Sequence, residues 1–280
     1  MKNFKLFLGV AVMAAVLITS CGGIDPEKEV TGIELDTTTL ELVIKATYTL
    51  KATVLPDYAT NKSVTWTSSD ASIASVANGI VTANAQGTAT ITAKAGNYTA
   101  TCAVTVEGVL INGVVWAAYN VGSTGIFVSN PEDYGEAYQW NRKENTNFLL
   151  LGDYMGSSYQ TSSSWLPENN PCPTGWRVPT RDEFLSLLDV NRVSNEWTTL
   201  NGKNGRRFTD IGTGKSIFLP AAGYRSSLSG SVSDVGTRGH YSCGTQFSDF
   251  LTNNLNFSNA DIKIGDIGKA DGLSVRPVAK

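Results

Sequence analysis

Four short runs in the first third of the chain alternate apolar and polar side chains with a period of two. Leu50, Ala52 and Val54 share one face, and Thr49, Lys51 and Thr53 share the other. Val64 and Trp66 repeat the pattern in "SVTWTSSD", Ala89, Ile91 and Ala93 in "GTATITAKA", and Cys102, Val104 and Val106 in "TATCAVTV". Successive side chains of an extended strand point to opposite faces, so this pattern predicts strands buried on one side. The runs are rich in Val and Thr and are split by "LPDYATN", "ANG" and "AQG", which predicts a small all-β sandwich. Cys102 falls on the inward face, where a thiol acts as a small buried hydrophobe.

Beyond Glu107 the texture changes. Five of the six tryptophans (Trp116, Trp140, Trp165, Trp176, Trp197) lie there, among many Gly, Ser and Asn. Strands are predicted near 114–119, 137–140, 206–209, 217–224, 239–244, 255–258 and 273–278, with a long loop running up to Gly175. One helix is predicted, starting in "NPCPTGWRVPTRDEF". Thr180 stands three residues before Glu183, the spacing of a capping box in which the hydroxyl and the carboxylate each satisfy a backbone N–H of the first turn. Phe184, Leu187 and Leu188 supply the apolar stripe. Every polar residue of this dense stretch has a structural task, so it is read as scaffold. Trp116, Trp140 and Trp176 are expected in the core, whereas Trp165 and Trp197 are left between ligand stacking and packing under a loop.

The N-terminus alters the setting. Lys2 and Lys5 precede an apolar run from Leu6 to Ile18, too short to span a bilayer and suited to a signal peptide. "ITSC" then ends at Cys21 in the manner of a bacterial lipobox. That resemblance implies cleavage after residue 20, lipidation of Cys21, and a protein tethered to the membrane by its acyl chains, in the cell envelope and on the outer membrane. Residues 21–29 form a linker. The formal charge is −3, and loss of Lys2 and Lys5 with the leader leaves the chain near −5, which gives nucleic acid no electrostatic attraction. Export also removes access to ATP and permits disulfides among the remaining Cys102, Cys172 and Cys243.

Two family resemblances follow from these residues. From Val30 to Val106 the chain resembles a bacterial immunoglobulin-like group 2 domain, apart from Lys45-Ala46 where that family commonly has Gly. In surface proteins such domains act mostly as spacers. In the remainder, "VWAAYNVG", "YGEAYQW", "NPCPTGWRVPTRDEF", "FLPAAGYRSS", "GHYSCGTQ" and "GLSVRPV" occur in the order seen in the Fibrobacter succinogenes major paralogous (FISUMP) family of Bacteroidetes-type lipoproteins. That family is similar to the C-type-lectin-like fold, also used by formylglycine-generating enzymes. The resemblances imply a β-sandwich over 30–107 followed by an α+β C-type-lectin-like domain over 108–280, in which long loops contact partners. Two departures, Pro277 in place of a frequent Cys and the unusual Cys243, raise the expectation of a Cys172–Cys243 bridge, which would stabilise by about 4 kcal/mol through loop closure.

Catalytic patterns are sparse. The single histidine, His240, excludes paired-histidine zinc sites and is read as an ordinary strand residue. "GTGKS" at 212–216 lacks the first glycine of a phosphate loop, since position 209 is Thr209, and reads as a hairpin turn. Asp261, Asp266 and Asp271 do not have calcium-loop spacing. No cofactor is expected, and calcium held by unidentified loop oxygens is left open. The sequence therefore points to non-catalytic binding of a glycan or protein, with a structural part in a surface assembly as the alternative and a degenerate formylglycine-generating-type enzyme ranked last. The expected ligand surface is the loop 226–239 plus the segment 250–271, with Ser229, Ser231, Asp234, Arg238, Asn253, Asn254 and Asn256 as contact residues.

Overall fold

The computed structural model describes residues 28–144 and 162–280. The leader, Cys21 and part of the long loop before Gly175 lie outside the described residues. Among the described residues no helix is long and apolar enough to cross a membrane.

Residues 32–107 carry nine strands: β1 (Gly32–Leu35), β2 (Thr39–Val43), β3 (Thr47–Thr49), β4 (Ala52–Leu55), β5 (Thr65–Ser68), β6 (Ala74–Ala77), β7 (Ile80–Ala83), β8 (Gly87–Ala95) and β9 (Tyr98–Glu107). They form sheets ordered β2-β9-β8-β5 and β3-β7-β6, with β1 paired to β4. The alternation read from the sequence sets their faces. Leu50, Ile91, Ala93, Cys102, Val104 and Val106 are buried, while the intervening Thr90, Thr101, Ala103 and Thr105 face solvent. β2 runs parallel to β9, with Leu40 opposite Val104 and Val43 opposite Glu107, and so covers the edge of the long β8–β9 hairpin. The β6–β7 turn is Asn78-Gly79 with both residues at positive φ, the geometry that a two-residue type I′ hairpin requires.

The rest of the chain is also mostly strand. β10 (Val109–Ile111), β11 (Val114–Trp116), β12 (Trp176–Arg177) and β21 (Val278–Ala279) form one sheet, ordered β10-β11-β21-β12. A second sheet joins β13 (Val193–Leu200), β14 (Lys203–Asp210) and β15 (Ser216–Pro220). A third joins β18 (Arg238–Gln246), β19 (Leu251–Ser258) and β20 (Ile262–Gly268), and the short β16 (Tyr224–Arg225) pairs with β17 (Val232–Ser233). Helix α1 (Arg181–Leu187) has the expected capping box, with Glu183 N–H donating to Thr180 Oγ1 at 3.3 Å and Thr180 N–H donating to the Glu183 carboxylate at 2.7 Å. Arg177 adds a two-pronged ion pair to the same carboxylate, at 2.8 and 2.5 Å.

Several expectations are corrected. Residues 137–140 and 273–276 do not build a strand ladder; they meet through the single bridge Tyr138–Leu273. β13 and β20 were not foreseen. The segment 250–271, expected to be strand near 255–258 and otherwise a polar contact surface, is mostly β19 and β20, because Leu255, Phe257, Ile262 and Ile264 alternate inward onto Phe208 and Trp197. The Cys172–Cys243 bridge is absent: both thiols are free and buried, Cys172 in one apolar cluster and Cys243 in another. Burial pushes the Cys243 thiol up to about 11 and also raises that of Cys172, so neither is poised to react.

Two features tie the chain together. The first apolar cluster does not stop at Glu107. It runs from Ile91, Val104 and Val106 into Val115, Ala117, Tyr138, Trp176 and Val275. The second is Arg276, wholly buried, whose guanidinium donates to Asn120 Oδ1 at 2.8 Å and to the carbonyls of Ala117, Ala118, Pro131 and Phe218. Burial draws its pKa down to about 10, still protonated at neutral pH, and the surrounding carbonyls take the place of water.

Candidate ligand-binding site

The frame held by Arg276 and Asn120 has a cavity on its flank. Asn120 Nδ2 donates to the carbonyl of Tyr134 at 2.9 Å, and Ser274 Oγ donates to the same carbonyl at 3.1 Å, which fixes the 134–137 turn. Across from it lies the β16–β17 ribbon. Gly135 (φ +73°) and Gly223 (φ +68°) are needed here: a Cβ on Gly135 would stand 2.3 Å from the carbonyl oxygen of Val121, and one on Gly223 would stand 1.9 Å from that of Ser233. Between these segments opens a cavity of about 350 Å³ lined by Tyr134, Glu136, Tyr224, Arg225, Val232, Val235 and Ser274, among others. Its size falls at the small end of ligand pockets. Two phenol rings, a carboxylate, a guanidinium and glycine-rich backbone suit a small polar ring-shaped ligand. Lys203 lies over the Tyr134 ring at 5.0 Å, and His240 packs against the Tyr224 ring at 5.1 Å, so each ring is supported by a polar neighbour.

The expected contact residues divide. Gly230, Val232 and Val235 of the 226–239 loop line the cavity, with the exposed Ser229, Ser231 and Asp234 beside them in the chain. Arg238 is half-buried and its guanidinium lies 3.5 Å from Asn256 Oδ1. The asparagines are the correction. Asn253 is 6% exposed and donates to the carbonyls of Thr245 and Gln246, pinning the bulge between β18 and β19. Asn254 is 1% exposed and Asn256 half-buried, and their amides point to Nδ1 of His240 at 3.2 and 3.4 Å. All three sit on an inner strand of a three-stranded sheet, where polar side chains serve neighbouring backbone and the imidazole.

Tyr134, Glu136, Tyr224 and Arg225 were not singled out from the sequence. A signal was present: each tyrosine abuts a glycine, in "YGE" and "GYR", and a glycine beside an aromatic marks close backbone approach next to a surface that can be filled. A second cavity, about 410 Å³, is lined by Trp165, Leu166, Pro167, Arg177, Val178 and Lys280, among others. Its guanidinium is already committed to Glu183, and Trp165 donates its indole N–H to the Asn169 carbonyl at 2.8 Å while packing on Trp140. Trp165 and Trp197, which rests edge-on against Phe257, therefore have packing partners. The 212–216 segment is the expected hairpin turn, closed by Asp210, which accepts from Thr213. Among the described residues no three His, Cys, Asp or Glu side chains converge as a metal site.

The comparisons with known proteins bear on the first part of the chain. Residues 29–106 match the bacterial Ig-like domain (group 2). The paired sheets and inward alternation of this module agree with that match. An Ig-like virion protein of Serratia phage KSP90 is 46% identical over 82 residues, covering 28% of this chain and 32% of that protein. An alpha-L-arabinofuranosidase of Bifidobacterium longum subsp. longum is 47% identical over 112 residues, covering 38% of this chain and 9% of that protein. The chain thus spans a third or less of the curated relatives it matches. Among solved structures, the S-layer protein rSbsC(31-844) is 19% identical with a TM-score of 0.27, covering 68% of this chain and 23% of that one.

Proposed function

We propose that this is a cell-envelope lipoprotein that binds a saccharide without transforming it. A lipid anchor at Cys21 would hold it on the outer membrane, the Ig-like module would act as a spacer, and residues 108–280 would form a C-type-lectin-like binding domain of the FISUMP kind. The observation that carries the binding reading is the Tyr134–Tyr224 cavity, which lies against the polar 226–239 loop and combines two aromatic rings with Glu136 and Arg225. Phenol rings present apolar faces with a polar tip, which suits the C–H faces of a sugar ring, while the Glu136 carboxylate suits its hydroxyls and Arg225, whose Nε donates to the Gly230 carbonyl at 2.9 Å, braces the rim. The Ser274 hydroxyl in the lining already donates to the Tyr134 carbonyl at 3.1 Å, which supports a binding role for this wall.

The test is a titration of the intact protein at pH 7.5 with a panel of methyl glycosides, followed by NMR of the tyrosine rings. Binding should shift Tyr134 and Tyr224 signals, and Tyr224→Ala should weaken affinity by at least about tenfold, the loss of one aromatic contact, with unchanged folding. A panel in which nothing perturbs these rings would overturn the reading. The alternative of a part in a surface assembly draws support from the phage relative's name. It predicts that deleting 108–280 alters assembly and leaves saccharide adhesion untouched.

A further inference from the structure

We propose that His240 is a positioning residue for the Tyr134–Tyr224 cavity and that its protonation loosens the cavity wall, so that the site releases its ligand in acid. This rests on the cavity being the binding site.

His240 is 7% exposed and stands directly behind Tyr224. Its Nδ1 faces the amide nitrogens of Asn254 and Asn256. With the amide nitrogens placed there, Nδ1 accepts from one of them and the ring proton falls to Nε2, which is turned toward Asp234 Oδ2 at 3.7 Å. Nε2 and Asn254 Oδ1 are both buried without a hydrogen-bond partner. The network thus fits the neutral ring. A second proton must go on Nδ1, where it would confront two N–H groups beside a ring that is 7% exposed. Two adjustments relieve this. Asn254 can turn its unpaired Oδ1 to accept from Nδ1–H, and the charged Nε2–H can draw the Asp234 carboxylate inward.

The charged groups facing the ring are few. Asp234, from the turn after β17, and Asp271, from the segment after β20, attract a positive charge. Arg238 on β18 opposes it, and Tyr224, Asn254 and Asn256 carry none. Asp234 is tightly coupled to the cavity. Its carbonyl accepts from Thr237 and Arg238, the Gly236 N–H bonds the Ala221 carbonyl at 2.8 Å, and the Gly223 N–H bonds the Arg238 carbonyl at 2.9 Å. Val235, next in the chain, lines the cavity. Movement of Asp234 toward the ring therefore displaces Val235 and the backbone behind Tyr224. Burial, with Arg238, holds the imidazole below its ordinary pKa. For a base this favours the neutral state, so the wall is intact above about pH 6.5 and is disturbed as pH falls through the lower folded-state value.

His240 is the single histidine of the chain, so one imidazole signal reports it in the intact protein. The expected result is a titration midpoint below about 6.5, with Tyr224 ring signals moving at the same midpoint in the absence of any sugar. In the methyl glycoside titrations, wild-type affinity should fall about tenfold per pH unit below the midpoint that the imidazole signal shows, and His240→Gln, which keeps an acceptor but cannot titrate, should stay level. A midpoint at or above the ordinary value, Tyr224 signals indifferent to it, or an equal fall in His240→Gln would each overturn the proposal. If no glycoside binds at pH 7.5, the binding reading fails with it. A Tyr224 response without ligand, in turn, decides the coupling by itself, so the two failures are distinguishable.

Discussion

Lys45 stands at φ +75°, in the left-handed region, in the turn between β2 and β3 that Ala46 N–H closes onto the Val43 carbonyl at 2.9 Å, and its own N–H bonds the Ala83 carbonyl of β7 at 2.8 Å. A side chain with a Cβ is strained there by about 1–2 kcal/mol, and glycine recovers part of that against its own greater freedom when unfolded. Lys45→Gly should therefore stabilise the protein by up to about 1 kcal/mol, read as a higher denaturant midpoint with an unchanged slope. The departure from the family pattern at this position was visible in the sequence, but its cost is set by backbone geometry that the sequence does not print. The asparagines show the opposite limit. Asn253, Asn254 and Asn256 read as ligand contacts because Ser, Gly and Asn suit adaptable polar surfaces. They occupy a strand because each amide is used by Thr245, Gln246 or His240 across the sheet, and those partners are remote in sequence or beyond a bulge.

At the scale of elements, local signals were legible and pairings were not. The capping box of α1 was readable because its two members are three residues apart. Its full strength was not, since Arg177 joins from β12. Burial works to raise the Glu183 carboxyl, but hydrogen bonds from Arg177 and Thr180 outweigh it and hold the pKa below the usual carboxylate value. A depressed acid contributes stability that is present above its unfolded pKa, about 4.3, and is lost as pH falls through the lower folded value. Thr180→Ala should cost about 1 kcal/mol at neutral pH. The deficit relative to wild type should shrink in denaturation curves taken below about pH 4, where protonated Glu183 no longer serves the cap. Hairpins were partly missed for a simpler reason. Asn112-Gly113 and Asn201-Gly202 close the β10–β11 and β13–β14 turns with both residues at positive φ, as Asn78-Gly79 does between β6 and β7. The dipeptide is the strongest short-range hairpin signal and was available at all three places.

At the scale of the molecule, the Ig-like module and the following residues share one apolar cluster, and Trp176 is its seam. It is 1% exposed, meets Phe127 edge-on at 5.7 Å, and would lie 3.1 Å from a Cβ on Gly108. At the last residue of β9, Glu107, burial together with Glu41 raises the carboxyl. A continuous cluster should melt as one unit. Trp176→Ala should remove about 3–5 kcal/mol of packing at the seam and turn a single calorimetric transition into two. A wild-type protein that already melts in two steps would contradict this. The sandwich itself was legible from its period-two pattern, whereas the continuity was not, because Val43, Phe127 and Trp176 come from three distant segments, each with its own local logic.

The burial of Arg276 has a consequence for the order in which the chain is completed. Every group that its guanidinium holds, at Ala117, Ala118, Asn120, Pro131 and Phe218, precedes it by 58 to 159 residues. During synthesis the earlier strands emerge with these oxygens hydrated and unclaimed, and no intermediate length can close the frame around the cavity. The strands around this frame wait for a cation supplied by residue 276, so any product that stops short of it is left with an open frame and exposed to proteolysis.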